Sequence, residues 1–101
     1  MKIEILAEAE QDLLDGARFY ERQEVGVGHH FIESLLADIR QYAGVHARDR
    51  GYHRMIAKRF PFAIFYRVTG DNILVYAVLD CRRSPAWLQQ QLTRRERRNG
   101  P

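Results

Sequence analysis

The spacing of the apolar residues changes near the middle of the chain, and this change restricts the fold more than any other feature. Between Ala9 and Arg22 the apolar positions recur every three or four residues, which predicts an amphipathic helix. A second helical pattern runs from Phe31 to Ala43, after the glycine-containing connector Gln23–Gly28. Two helices joined by so short a connector form an antiparallel hairpin. The polar segment Gly44–Gly51 then predicts a loop.

The second half of the sequence has the composition of β-strands. Three runs predict strands, namely His53–Ala57, Ala63–Val68 and Ile73–Leu79. Thr69-Gly70-Asp71-Asn72 supplies the residues of a hairpin turn between the last two, so the three runs predict an antiparallel meander. At the start of the chain, Lys2–Ile5 alternates polar and apolar residues and predicts one more short strand.

The C-terminal region predicts a short helix followed by a tail. Ser84 is a suitable N-cap, and Pro85 suits the first helical position. Trp87, Leu88 and Leu92 would seat this helix on the body of the protein. We therefore predict one α+β domain over residues 1–92, with helices packed on one face of a single sheet, and a frayed basic tail over residues 93–101.

Charge divides the chain into two unlike halves. Residues 1–45 carry four basic and nine acidic residues, whereas residues 46–101 carry twelve basic and four acidic residues, and the whole chain has a net charge of +3. A basic region of this kind is typical of proteins that meet phosphate or an acidic partner. The functional residues are therefore expected in the second half.

Several classes of protein are excluded by composition. The apolar run Phe60–Tyr66 is too short for a membrane helix, and the acidic N-terminus does not match a secretory signal, so we expect a cytoplasmic protein that has no membrane partner. Cys81 is the only cysteine and cannot form an internal disulfide. The adjacent His29 and His30 would point to different faces of a helix, which predicts two surface histidines. We expect no metal and no cofactor.

Several motifs together resemble one known superfamily. They are Phe19-Tyr20 with Gln23, Gly26-Val27-Gly28 with Phe31, the segment from Arg59 to Val68, and Arg82-Arg83 followed by Pro85 and Trp87. This pattern is similar to the RelE/ParE superfamily, whose members are toxins of type II toxin–antitoxin modules, and the ParE branch is the nearest. The resemblance implies a small α+β toxin that an antitoxin wraps and neutralises.

A ParE-like toxin is expected to inhibit an essential target by binding, and for this branch we expect that target to be DNA gyrase. The residues expected to contact the target are Arg54, Arg59, Arg67, Arg82, Arg83 and Trp87. The basic run from Arg94 to Arg98 predicts either a nucleic-acid or partner-binding arm, or a helix end that is stabilised by positive charge.

The alternative implied by the resemblance is a RelE-like endoribonuclease that cleaves mRNA on the ribosome without a metal. Its phosphate-binding and charge-stabilising residues would be Arg54, Lys58, Arg59, Arg67 and Arg82. After Tyr76 the chain has no tyrosine or histidine to transfer a proton, and Asp80 stands where relatives often carry histidine. Tyr66 and His53 are the remaining candidates. A third alternative is a decayed toxin that retains only antitoxin binding.

The resemblance also implies a ParD-like antitoxin in a hetero-oligomeric complex. We expect the C-terminal half of this antitoxin to be acidic and to fold on binding. Apolar residues outside the helical core stripes are expected to form its groove, namely Leu14, Phe19, Ile32 and Leu36.

Overall fold

A computed structural model describes residues 2–45 and 51–99 of the chain. The elements are β1 (Lys2–Ile5), α1 (Ala7–Gln23), α2 (Val27–Val45), β2 (Gly51–Ile56), β3 (Phe62–Thr69), β4 (Asn72–Asp80) and α3 (Pro85–Asn99). Their order confirms the expected α+β arrangement of strand, helical hairpin, three strands and C-terminal helix. The loop expected at 44–51 falls mainly on residues 46–50, which lie outside the described ranges. No described helix is both long enough and apolar enough to cross a lipid bilayer.

The helical hairpin is tight because two glycines lie at its turn. Gly26 has a φ of 93°, a left-handed conformation that glycine adopts without strain. A Cβ on Gly28 would lie 2.6 Å from the carbonyl oxygen of Ala17, so glycine lets α2 approach α1 closely. The carboxylate of Glu21 accepts hydrogen bonds from the backbone N–H groups of Gly26 and Gly28, each at about 3.0 Å. A side chain of α1 thereby caps the N-terminus of α2.

The four strands form one sheet in the order β1-β4-β3-β2. The predicted antiparallel meander is confirmed, with β2 paired to β3 and β3 paired to β4. Gly70 turns the second hairpin with a φ of 58°. Strand β1 lies beside β4 and parallel to it, from Lys2 opposite Asn72 to Ile5 opposite Val75. The partner and direction of β1 could not be predicted from its four residues.

A bulge divides β4 into two halves. Tyr66 lies opposite Val75, whereas its neighbour Phe65 lies opposite Ala77, so Tyr76 is an extra residue in β4. Both Tyr76 and Ala77 therefore contribute to the same face of the sheet. The bulge increases the apolar surface on that face, opposite the helical hairpin.

The sheet is covered on both faces, which corrects the expectation that all helices pack on one face. Helices α1 and α2 cover one face through a core that includes Leu13, Phe31, Leu35, Ile39, Ile64, Tyr66 and Val75. Helix α3 covers the other face through Trp87, Leu88 and Leu92, which pack against Ala63, Phe65, Tyr76, Ala77 and Leu79. The apolar residues of β3 and β4 face both cores, which explains their nearly continuous burial.

The expected frayed tail is wrong over most of its length. Helix α3 continues through residues 93–99, past the boundary at residue 92 that the sequence suggested. Arg95 fixes this part of the helix, because its side chain is only 7% exposed and forms an ion pair with Asp12 of α1. The prediction failed because the contact is made by charged side chains, which carry no apolar periodicity.

Candidate functional site

The topology brings two basic loops to the same end of the sheet. Since β2 and β4 run in the same direction, the loop after β2 and the loop after β4 lie side by side. A hydrogen bond of 2.8 Å from the N–H of Cys81 to the carbonyl of Pro61 joins them. We call this surface the basic end and define it by Lys58, Arg59, Arg82 and Arg83.

Arg82 is oriented by an acidic neighbour and an aromatic ring. Its Nε and Nη2 atoms donate to the carboxylate of Asp80 at 2.9 and 2.7 Å, and its guanidinium lies 5.9 Å from the ring centre of Phe19. Hydrogen bonds from Arg82 hold the pKa of Asp80 below its usual value of 3.8. Asp80 is therefore ionised at neutral pH and bound to Arg82, so it cannot replace the histidine of a nuclease as a proton donor.

Arg83 and Trp87 form a second pair at the start of α3. The guanidinium of Arg83 lies 4.0 Å from the ring centre of Trp87, within the range of a cation–π contact. The N–H of Trp87 donates to the hydroxyl of Ser84 at 3.2 Å, so the predicted N-cap is confirmed. Trp87 is half-buried, since one side of the indole packs on the sheet. It both anchors α3 and supports Arg83 at the surface.

The other two basic residues of this end differ in their surroundings. The N–H of Lys58 donates to the buried carboxylate of Asp38 at 3.0 Å, and its Nζ donates to the side-chain oxygen of Gln41 at 3.3 Å. These bonds attach the loop after β2 to α2. Arg59 is exposed at the tip of the same loop.

Arg67 lies away from the basic end, whereas Arg54 lies close enough for its charge to act on the thiol of Cys81, next to Arg82 in the chain. Both arginines are on the sheet face that α3 partly covers, with Arg54 opposite Phe65 and Arg67 opposite Tyr52. The Nη1 of Arg67 donates to the hydroxyl of Tyr52 at 3.4 Å near the far end of β2. The structure therefore places Arg59, Arg82, Arg83 and Trp87 at one end of the sheet with Arg54 at the border of this group, and it leaves Arg67 farther along the sheet.

The candidate proton carriers are badly placed for a site made of these arginines. Tyr66 is fully buried in the core beneath the helical hairpin, and the His53 ring stacks on it at 5.3 Å. Both therefore lie on the sheet face opposite Arg54 and Arg67. Tyr76 is buried, and its hydroxyl donates to Glu96 at 3.2 Å. Burial, reinforced by the charge of Glu96, raises the pKa of Tyr76 above its usual value of 10.0.

One histidine lies closer to the basic end than the sequence suggested. The exposed His30 ring of α2 lies 5.5 Å from the ring of Phe60, next to Arg59 in the chain. The sequence predicted only that His30 is on the surface, because the docking of α2 beside this loop depends on tertiary packing. Its neighbour His29 pairs with Glu33 at 2.8 Å on the same helix. In the described ranges no three metal-binding side chains converge.

The C-terminal arginines are held by acidic residues of α1. Arg98 and Arg94 lie 3.1 and 3.4 Å from the carboxylate of Glu8, and the buried guanidinium of Arg95 donates from Nη1 and Nη2 to Asp12. Arg94, Arg95 and Arg98 therefore form a helix face that contacts α1, so these three arginines are not part of a free arm. The opposite charges of the two halves of the sequence meet in this contact.

The Asp12–Arg95 pair also completes the edge of β4. Strand β1 ends at Ile5, and the last bond of its ladder is from the N–H of Leu6 to the carbonyl of Val75. Immediately beyond, the N–H of Val78 donates to Asp12 at 2.9 Å, and the carbonyl of Tyr76 accepts from Arg95 at 3.4 Å. Burial raises the pKa of Asp12, while the hydrogen bonds from Arg95 and Val78 oppose that rise.

The residues expected to bind the antitoxin do not form one continuous patch. Leu14 and Ile32 line a groove on the outer side of the hairpin, together with Arg18 and His29. Leu36 is half-buried against the core below the hairpin. Phe19 is exposed beside Arg82 at the basic end, so it belongs to a different surface.

The comparisons with known proteins agree with this architecture. A comparison with curated proteins gave no significant match. A solved structure, the chromosomal ParDE TA system from P. aeruginosa, contains a similar chain with a TM-score of 0.69 and 16% identity, over 77% of this chain and 92% of that one. At this identity the likeness shows the fold alone. The family model for the ParE toxin of type II toxin–antitoxin system, parDE, matches residues 3–85. The chain therefore belongs to the ParE toxin family of type II toxin–antitoxin systems.

Proposed function

We propose that this ParE-type toxin acts by binding an essential target, DNA gyrase, through the basic end and the adjoining sheet face. The observation that carries the proposal is the separation of the buried Tyr66 from the arginines, which lie on the other face of the sheet or at its end. Arginine stabilises negative charge but does not exchange protons near neutral pH. A surface of this kind suits binding to an acidic protein better than it suits cleavage of RNA.

The contacts proposed for the target come from the basic end, the neighbouring strands and the start of α3. They are Arg54, Arg59, Arg67, Arg82, Arg83 and Trp87. Arg82 and Arg83 are each placed against an aromatic ring, which reduces the side-chain freedom that binding would otherwise remove. Pre-oriented guanidinium groups favour both fast encounter and specific pairing with carboxylates.

Growth of a bacterial host that expresses the chain tests the proposal. Wild-type expression should arrest growth, and replacement of Arg82 and Arg83 by alanine should relieve the arrest because charge is lost at the basic end. The control replaces Arg22 and Arg40, two exposed arginines of the helices, and removes the same charge elsewhere. Equal toxicity of both double variants at matched soluble expression would refute the assignment of this surface.

We also propose that a ParD-like antitoxin with an acidic C-terminal half neutralises the toxin in a hetero-oligomeric complex. Leu14 and Ile32 line its groove, Leu36 would be reached only beside that groove, and Phe19 would be reached only by a segment that also passes the basic end. Leu14→Glu should weaken the complex, whereas Val25→Glu at the exposed hairpin turn should not. Equal antitoxin affinity of both variants would exclude Leu14 from the interface.

The alternative function, ribosome-dependent mRNA cleavage, is favoured by one observation. His30 lies beside Phe60 at the end of the sheet that carries Arg59. In that mechanism Arg54, Lys58, Arg59, Arg67 and Arg82 would bind phosphate, and His30 would transfer the proton. We expect no discrete cleavage when the toxin is added to translating ribosomes. Discrete cleavage that is lost in the His30→Ala variant would establish the nuclease instead.

A further inference from the structure

Strand β2 forms one edge of the sheet, and the two edges differ in how they are protected. At the β1 edge, the Asp12–Arg95 pair binds the backbone of β4 beyond the end of β1. At the other edge, within the described residues, β2 pairs with β3 alone, through all six of its residues from Gly51 to Ile56. An edge strand presents backbone donors and acceptors on its outer side, where another strand can pair.

The register shows which residues of β2 face outward. The N–H of Ala57 donates to the carbonyl of Phe62 in β3 at 2.9 Å. Because backbone directions alternate along a strand, the N–H groups of His53 and Met55 also point toward β3. Those of Arg54 and Ile56 consequently point away from the sheet.

The side chains of the same alternate residues are exposed and partly apolar. Tyr52 is 48% exposed and Ile56 is 53% exposed, with Arg54 between them on the face that α3 covers only in part. Met55, in contrast, is buried beneath the helical hairpin. Edge strands of monomeric proteins usually carry charges, proline or bulges that prevent pairing. Of the three exposed residues Tyr52, Arg54 and Ile56 in β2, only Arg54 is charged.

Charge indicates which kind of strand would pair here. The described segment from Gly51 to Arg67 contains four basic residues and no acidic residue. Antiparallel pairing with a second copy of this chain would bring two such basic segments together, and like charges opposite each other are destabilising. An acidic segment with apolar residues at alternate positions matches both the charge and the exposed Tyr52 and Ile56.

We propose that β2 binds an extended acidic segment of the antitoxin, which joins the sheet as a fifth strand. The segment pairs with the outward backbone groups of Arg54 and Ile56, places its apolar side chains against Tyr52 and Ile56, and places carboxylates near Arg54. This inference rests on the proposed neutralisation by an antitoxin. It adds a binding mode that uses the backbone of the toxin and is separate from the groove at Leu14 and Ile32.

Hydrogen–deuterium exchange on the chain alone and on its complex with the co-expressed antitoxin tests the proposal. The amides of Arg54 and Ile56 should exchange at least about tenfold more slowly in the complex. The amides of His53 and Met55, which point to β3, should be protected in both samples. If the amides of Arg54 and Ile56 are protected in the chain alone, and this protection grows with the concentration of the chain, the edge pairs with a second copy and the proposal is overturned.

A proline variant separates the backbone contribution from the side chain. Ile56→Pro removes an outward N–H and leaves the donors to β3 in place, so it should reduce antitoxin affinity about tenfold relative to Ile56→Ala. Protection of His53 and Met55 in the free variant verifies that the sheet is intact, and loss of that protection moves the comparison to Arg54→Pro. A complex in which both proline variants bind as tightly as the alanine variant, with no protection at Arg54, would overturn the inference and leave the proposed function standing. Absence of any complex with the wild-type chain would refute both.

Discussion

Replacement of Arg95 by alanine should destabilise the toxin more than any exposed arginine replacement. Asp12 would keep its charge in a site where its side chain is only 13% exposed, and it would lose two hydrogen bonds from the guanidinium. Removing one partner of a buried ion pair costs about 3–5 kcal/mol. This loss is a large fraction of the about 5–15 kcal/mol by which a domain of this size is stable. Because each kcal/mol lowers the melting temperature of such a domain by several degrees, the melting temperature should fall by on the order of 15 °C or more.

The matched control is Arg94→Ala on the same helix. Arg94 is exposed and lies 3.4 Å from Glu8, so its removal should cost less than about 1 kcal/mol. Urea denaturation of both variants, followed by circular dichroism and by fluorescence of Trp87, gives the free energies of unfolding. Trp87 is the only tryptophan and lies on α3, so its fluorescence also reports whether that helix remains docked.

The deficit of Arg95→Ala should depend on pH and on the charge of Asp12. Burial raises the pKa of Asp12, and loss of the opposing bonds from Arg95 should raise it further above 3.8. The free-energy cost of Arg95→Ala then grows as pH rises from 3.8 through the folded-state pKa of Asp12. The difference in stability between the variant and the wild type should therefore be smaller at about pH 4 than at about pH 7. Asp12→Asn in the same variant should recover stability at neutral pH. A deficit no larger than that of Arg94→Ala, or no recovery with asparagine, would refute the reasoning.

Three other changes test separate parts of the structure. Arg82→Ala should raise the pKa of Asp80 toward 3.8 in an NMR titration, because the hydrogen bonds from Arg82 are lost. In the wild type this pair contributes stability above pH 3.8, and that stability is lost as pH falls through the lower folded-state pKa of Asp80. An unchanged titration of Asp80 would contradict the pairing. The raised pKa of Tyr76 makes wild-type stability fall as pH rises past 10.0. In Tyr76→Phe the urea midpoint should therefore fall less steeply above about pH 10 than in the wild type. An equally steep fall in the variant would exclude this cause. Gly28→Ala should cost about 1–3 kcal/mol in thermal melts because its Cβ would lie 2.6 Å from a backbone oxygen of α1, and wild-type stability would contradict the close packing.

Local patterns predicted the elements of the fold but not the contacts between distant segments. The hairpin α1–α2, the meander and the cap at Ser84 follow from apolar spacing and from residues that act within a few positions of themselves. The parallel position of β1 and the bulge at Tyr76 depend on pairing across the sheet. The length of α3 depends on Arg95 and Asp12, which are 83 residues apart and have no periodicity to connect them.

The candidate site shows the same difference. Once β2 and β4 are known to run in one direction, Arg59, Arg82 and Arg83 must lie at one end of the sheet, so the meander predicts this cluster. The separation of Arg67 from it follows from the register. The proximity of His30 to Phe60 and the distance of Phe19 from Leu14 depend on how the helices dock, which sequence spacing alone does not determine.

Inhibition of purified DNA gyrase tests the central claim most directly. The wild-type toxin should block ATP-dependent supercoiling of relaxed plasmid, and the antitoxin should restore it. Replacement of Arg82 and Arg83 by alanine should weaken inhibition, increasingly so at low salt where charge contributes most, whereas replacement of Arg22 and Arg40 should not. Full supercoiling activity in the presence of soluble toxin, together with discrete cleavage of mRNA on translating ribosomes, would contradict the account.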